Sequence, residues 1–127
     1  MRRETELWWL QGKRDRETAG NCHKAGDYYA AVFFCHQSLE KALKALIIEK
    51  KKEMPPRTHS LLQLAELVEV PGSLMHFLRE LTPDYITTRY PDAAGGPIAD
   101  LYDVETSEGA LSGADEVFAW IGEQLKE

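Results

Sequence analysis

A chain of 127 residues, 43% hydrophobic and 28% charged, is long enough to bury one core without disulfide or metal staples, and its composition is that of a folded protein, far from that of disordered chains. The formal net charge of −6 excludes a general nucleic-acid coat, which would need many phosphate-neutralising cations, but it leaves room for a local basic site. No apolar run approaches the roughly 18 residues that span a bilayer, and the opening MRRETELWWLQGKRDRE carries acids where a signal peptide needs an apolar core. One cytoplasmic domain over residues 1–127, without a membrane partner, is the expectation.

The first helix is predicted from Thr5 to Lys24, with Gly26 as its stop. Its inward line passes through Trp8, Gly12, Asp15, Ala19 and Cys22. Asp15 is the odd member: it is either turned to solvent or buried against a cation, with Lys41 or Lys44 as partner, because an unpaired buried carboxylate is costly. Asp27 directly follows Gly26 as the expected N-cap of a central helix, Asp27 to Glu53, so the two helices should form an antiparallel hairpin.

Apolar residues at Tyr28, Val32, Cys35, Leu39, Ala42 and Leu46 repeat with 4-3-4-3-4 spacing and put one stripe along the central helix. Tyr29, Phe33 and Phe34 widen that stripe. The width asks for a second covering surface, either a second copy of the chain or the segment after Tyr90. His36, Glu40 and Lys44 form a polar ridge at i, i+4 and i+8 and read as helix-surface pairs worth a few tenths of a kcal/mol each. Lys50, Lys51 and Lys52 suit the helix C-terminus. Cys22-His23 and Cys35-His36 do not make zinc sites, since adjacent helical residues point about 100° apart.

Pro55 and Pro56 break the helix, and Ser60 with Gln63 forms an S-x-x-Q capping box that opens a short third helix bearing Leu61, Leu64, Ala65 and Val68. Pro71 and Gly72 end it. A fourth helix from Ser73 to about Leu81 turns Leu74, Phe77, Leu78 and Leu81 inward, and Pro83 starts a continuation carrying Tyr85 and Arg89. Tyr90 to Tyr102 lacks periodicity. It is either a plain crossover or a functional loop, because Tyr85, Arg89, Tyr90 and Tyr102 can stack on a base or grip a phosphate. The last helix, from about Val104 to Leu125 behind Asp103, carries the line Val104, Ser107, Leu111, Ala114, Phe118, Ile121 and Leu125. Gly109 and Gly113 in it permit close helix approach. The whole reads as an all-α antiparallel helical bundle of about five helices, three long and two short.

Gly26 to Ile47 (GDYYAAVFFCHQSLEKALKALI), the P-x-x-H-S-L of Pro56 to Leu61 and the RYPD of Arg89 to Asp92 together resemble the prokaryotic HEPN domain family. Trp9-Leu10, Asp15 and the closing Trp120-Ile121 extend the resemblance over nearly the whole chain. It implies an all-α bundle, usually homodimeric, often paired with a minimal nucleotidyltransferase in toxin-antitoxin or stress modules, and named for proposed nucleotide binding. Many relatives are metal-independent ribonucleases whose Arg and His lie four to six residues apart on a late helix. No histidine follows Arg89 here, and the Arg-x6-His spacing of Arg16 and His23 lies in the first helix.

A non-catalytic binding module is therefore expected, with no catalytic residue, no metal and no cofactor beyond a nucleotide as ligand. The expected partners are a second copy, a minimal nucleotidyltransferase, and nucleotide or RNA. The ligand site is assigned to His59, Arg89, Tyr90, Asp92 and Tyr102, with Asp15, His36, Glu40 and Lys44 as structural polar residues. The alternatives are a divergent ribonuclease using His59 or His36 with Arg89 or Arg57, and a structural oligomer subunit without activity.

Overall fold

Helix α1 (Arg3–Lys24) turns into α2 (Tyr28–Lys51) through three residues. Gly26 makes that turn at φ +82°, a left-handed conformation that favours glycine, and the amides of Ala25, Gly26 and Asp27 close on the last carbonyls of α1. Asp27 takes the N-cap position of α2, but its side chain makes no capping hydrogen bond, contrary to the sequence expectation. The turn is already closed by backbone bonds. The computed structural model describes residues 1–126, and no strand occurs among them.

After α2 come α3 (Leu61–Leu67), α4 (Gly72–Leu81), the single turns α5 (Asp84–Thr87) and α6 (Pro91–Ala94), a 3-10 turn at Ile98–Leu101, and α7 (Val104–Gln124). Three long helices and two short ones agree with the predicted all-α bundle; the added turns lie in the segment expected to be aperiodic. Pro91 starts α6 and Gly95, at φ +79°, ends it, so four residues form a turn too short for any period to reveal. Ser60 caps α3 by accepting from the Gln63 amide. The reciprocal half of that box is missing, because the Gln63 side chain is held by Thr58 instead. Asp103 and Thr106 complete a full capping box at α7.

Helix α1 runs antiparallel to α7 as well as to α2: Trp9 packs on Phe118, Arg16 reaches Asp115 and His23 reaches Ser107. The long return from 52 to 103 thus lays α7 beside α2. Gly12 sets the α1 spacing, since a Cβ there would lie 3.1 Å from the Ser38 carbonyl and 3.2 Å from the Ala42 amide of α2. Gly113 is tighter still, since a Cβ there would overlap the Phe77 ring of α4. Gly109, paired with it in the sequence reading, has nothing within 4 Å and sets no helix spacing.

The α2 stripe is buried as predicted at Val32, Cys35, Leu39, Ala42 and Leu46, but so are Ala31, Leu43, Ala45, Ile47 and Ile48 on its other sides. The chain itself covers much of the excess width, through α7, α3, α5 and the turn at Ile98–Leu101. On α7 the buried line is Ser107, Ala110, Ala114, Val117 and Ile121. Val104 is exposed and Leu111 and Phe118 are half-buried flanks, so the predicted line was rotated by part of a turn toward the larger side chains.

Candidate functional site

Glu40 is the organising residue of a continuous polar and aromatic cluster. It projects from the middle of α2 and is 7% exposed. Lys44, one turn on and equally buried, donates to Oε2 at 3.0 Å, and its ammonium lies 5.6 Å from the centre of the Trp8 ring of α1. The ridge read as surface pairs is therefore interior: Trp8, Tyr85 and His59 stand around the side of α2 that the spacing left open to solvent. Periodicity identifies a ridge and does not say what will cover it.

His59 lies just before the Ser60 cap, where the chain folds back toward α2 after Pro55 and Pro56. Its Nδ1 is 3.0 Å from Glu40 Oε1 and 3.2 Å from Oε2. A carboxylate only accepts, so Nδ1 carries the hydrogen and, in the neutral ring, Nε2 keeps its lone pair. The side chain is 52% exposed. Its plane is set by Tyr85 of α5, stacked at 4.0 Å with 9° between planes. Arg89 lies with its guanidinium carbon 4.4 Å from the centre of Tyr85 and 4.9 Å from that of Phe33. An exposed imidazole and an exposed guanidinium thus share one aromatic ring.

Beneath them His36 is 1% exposed, its ring 5.6 Å from Tyr85. Neither ring nitrogen has a hydrogen-bond partner, and Glu40 Oε1 stands off at 4.0 Å. Burial pushes its pKa down to about 4; the Glu40 carboxylate works against that shift, and the Arg89 charge adds to it. His36 is accordingly neutral at pH 7, a packed ring rather than a cation.

The remaining predicted residues are distributed differently. Tyr90 is 49% exposed next to Arg89, and Asp92 is exposed in α6; neither makes a ring, ion-pair or side-chain hydrogen-bond contact with the stack among the described residues. Tyr102 points elsewhere: its hydroxyl donates to Asp84 at 2.5 Å and lies 2.8 Å from the Thr87 hydroxyl, and burial followed by the Asp84 bond raises its pKa. Asp15 is buried and paired with Lys41 at 2.7 Å, which settles the choice between Lys41 and Lys44. Tyr85, which brackets the aperiodic segment in the sequence, lies at the centre of the stack and outside the ligand site expected from sequence. The Tyr85 and Arg89 side chains meet because the turn at Thr88 and Arg89, closed by the Arg89 amide on the Ile86 carbonyl, follows α5 directly.

Arg16 and His23 do line one depression beside α7, yet both are engaged. Arg16 forms a forked pair with Asp115 at 2.7 and 2.9 Å, and His23 Nδ1 lies 2.8 Å from the Ser107 hydroxyl. Burial pushes the Cys35 thiol up to about 12 and raises Cys22 as well, so neither is an activated nucleophile. No helix of the described residues is long and apolar enough to cross a membrane.

The chain is similar to two solved structures over almost its full length. The Thermus thermophilus protein TT1696 is 33% identical, superposes with a TM-score of 0.88, and the match covers 98% of this chain and 100% of that one. ST0689, an archaeal HEPN homologue, is 28% identical with a TM-score of 0.84 and the same coverage. No curated protein matches. The sequence matches the HEPN domain over residues 5–125, and with that span and the shared helical architecture, the chain belongs to the HEPN domain family.

Proposed function

We propose that the chain is a nucleotide-binding HEPN module, acting as a homodimer alongside a minimal nucleotidyltransferase in a toxin-antitoxin or stress-response system. The observation that carries the nucleotide reading is the exposed stack of His59, Tyr85 and Arg89, held from below by Glu40. Arg89 offers a planar fork of donors to phosphate oxygens. Protonated His59 offers Nε2–H to a second oxygen, and the exposed ring of Tyr90 is available for a base. Tyr102, tied to Asp84, is left out of this site. The dimer is supported by two apolar side chains exposed one helical turn apart on α1, Leu7 and Leu10. The nucleotidyltransferase pairing rests on the family alone.

Calorimetric titration of the purified chain with ATP and GTP tests the site. Arg89→Ala should weaken binding at least tenfold, and Glu40→Gln, which weakens the hold on His59, should weaken it by a smaller factor. Nucleotide affinity unchanged in both variants, or no binding at all, would overturn the assignment. Co-purification with a nucleotidyltransferase encoded beside it tests the partner.

One observation favours a second reading, a divergent metal-independent ribonuclease. The Glu40–His59 pair leaves an oriented, exposed Nε2 lone pair, which is what a general base for a 2′-hydroxyl requires, with Arg89 to stabilise the phosphorane charge. RNA cleavage without added metal, lost in His59→Gln, would establish it. Intact RNA across a broad panel would remove it.

A further inference from the structure

A groove of about 570 Å³ opens between α4, α5, the turn at Ile98–Leu101 and α7. It is distinct from the Glu40 cluster and does not depend on the nucleotide reading. Its walls are apolar: Val32, Phe77, Leu81, Leu101 and Ala110. The Phe77 wall is fixed, because its ring fills the space where Gly113 lacks a side chain.

Two observations single out this groove. Gly109 lines it from the middle of α7, and a Cβ there would meet nothing within 4 Å. A glycine inside a helix is unfavourable, and this one serves no contact of the chain with itself; its effect is to keep the groove deep. The second is the charge at the side. Asp84 Oδ1 accepts from the Tyr102 hydroxyl at 2.5 Å and the Thr87 hydroxyl at 3.1 Å. Oδ2 has no hydrogen-bond partner among the described residues, and no lysine or arginine lines the groove. Burial and the neighbouring carboxylate raise the Tyr102 pKa, so its hydroxyl stays a donor and holds Asp84 in place. Glu80, the other acid of the lining, has a side chain 69% exposed, so water screens its charge and no hydroxyl of the groove holds it in place.

We propose that the groove between α4, α5 and α7 binds a small organic cation, a protonated amine or amidine on an apolar body, with Asp84 as its counter-ion and the Gly109 gap receiving its apolar part. The volume falls within the roughly 300–1,000 Å³ typical of small-ligand sites, and apolar walls with a few convergent polar groups are their usual composition. A charged end without a countercharge would remain in water, and an acid without an apolar wall would bind only ions. The groove offers both features.

The test is amide NMR of the full chain, titrated separately with phenethylamine, cyclohexylamine and benzamidine and with their uncharged alcohol or amide counterparts. At least one cation should shift the Thr87, Gly109 and Ala110 amides saturably and bind at least tenfold tighter than its neutral counterpart. Asp84→Asn, which keeps an acceptor for Tyr102 and Thr87, should remove most of that preference. Gly109→Leu should abolish binding with an unchanged circular-dichroism spectrum, which keeps the test independent of any loss of folding in the first variant. Equal binding of cation and neutral counterpart, no shift with any of the three cations, or a preference that survives Asp84→Asn would overturn the proposal.

Discussion

The two sides of α2 are built from different materials. Toward α7 the contact is apolar, Val32, Cys35 and Leu39 meeting Ala114, Val117 and Ile121 within one core. Toward Trp8, His59 and Tyr85 it is polar, with His36 buried as deeply as the core aliphatics and Glu40 and Lys44 nearly so. A buried leucine is held by non-directional burial, and replacement by another apolar residue of similar volume is tolerated. A buried carboxylate depends on each partner being in place. The apolar side therefore supports the fold, and the polar side fixes the orientation of one exposed imidazole.

Breaking the polar side at its centre should have the largest effect. Glu40→Ala leaves Lys44 buried without its partner and should cost about 3–5 kcal/mol in denaturant unfolding. Leu39→Ala on the opposite side should cost about 2–5 kcal/mol. What separates them is ligand binding, which Glu40→Ala should lose and Leu39→Ala, in protein still folded, should keep. The double variant Glu40→Leu with Lys44→Met sharpens the contrast. Removing both charges together should leave stability unchanged or raise it by about 1–4 kcal/mol, while His59 loses its hydrogen-bond partner. A double variant as unstable as Glu40→Ala would mean that the polar side is needed for folding.

His36 gives this side a pH dependence that the apolar side lacks. Its pKa falls from an ordinary 6.5 to about 4 in the folded chain. Above pH 6.5 the imidazole is neutral whether folded or not, and stability is full. Between pH 6.5 and about 4 the unfolded chain takes up a proton that the folded one refuses, so stability falls by about 3 kcal/mol in all, and this contribution is flat below that window. His36→Leu should flatten the dependence across the same window. Unfolding curves for the two proteins at pH 7, 5.5 and 4.5 measure it.

The two glycines of α7 divide in a similar way. Gly113→Ala drives a Cβ into the Phe77 ring and should cost about 1–3 kcal/mol. Gly109→Ala meets nothing and should gain about 1 kcal/mol from helix propensity alone. A loss of stability at Gly109 would mean that the groove closes over that position in solution.

Much of the scaffold was legible because it depends on local rules. The α2 stripe, the Ser60 cap and the Pro83 start follow from spacing and capping, and the cost of a lone buried charge made a lysine partner for Asp15 one of two readings, with Lys41 and Lys44 left unseparated. What was not legible depends on elements distant in sequence. Nothing in the spacing of His36, Glu40 and Lys44 says that residue 59 returns over Glu40 or that Tyr85 lies flat against His59. The α7 line was misplaced for a related reason: the larger side chains Leu111 and Phe118 drew the line, while the close approach of α1 and α2 fills the centre with Ala110, Ala114 and Val117.

The smallest expected effect bears most directly on function. Arg89 is exposed, and its ring contacts are with two aromatic side chains, Phe33 and Tyr85. Truncating it removes cation–π contacts worth about 0.5–1 kcal/mol at an exposed site, so Arg89→Ala should leave the unfolding midpoint nearly unchanged. Glu40→Ala should impair both stability and nucleotide binding, while Arg89→Ala should impair binding alone. Arg89→Lys adds a further distinction. It keeps the positive charge but loses the planar fork and its stacking on Tyr85, so it should recover only part of the affinity if phosphate is gripped through paired hydrogen bonds, and nearly all of it if charge alone suffices. Full rescue by lysine would make the stack a diffuse cationic patch and remove the reason for holding His59 against Glu40.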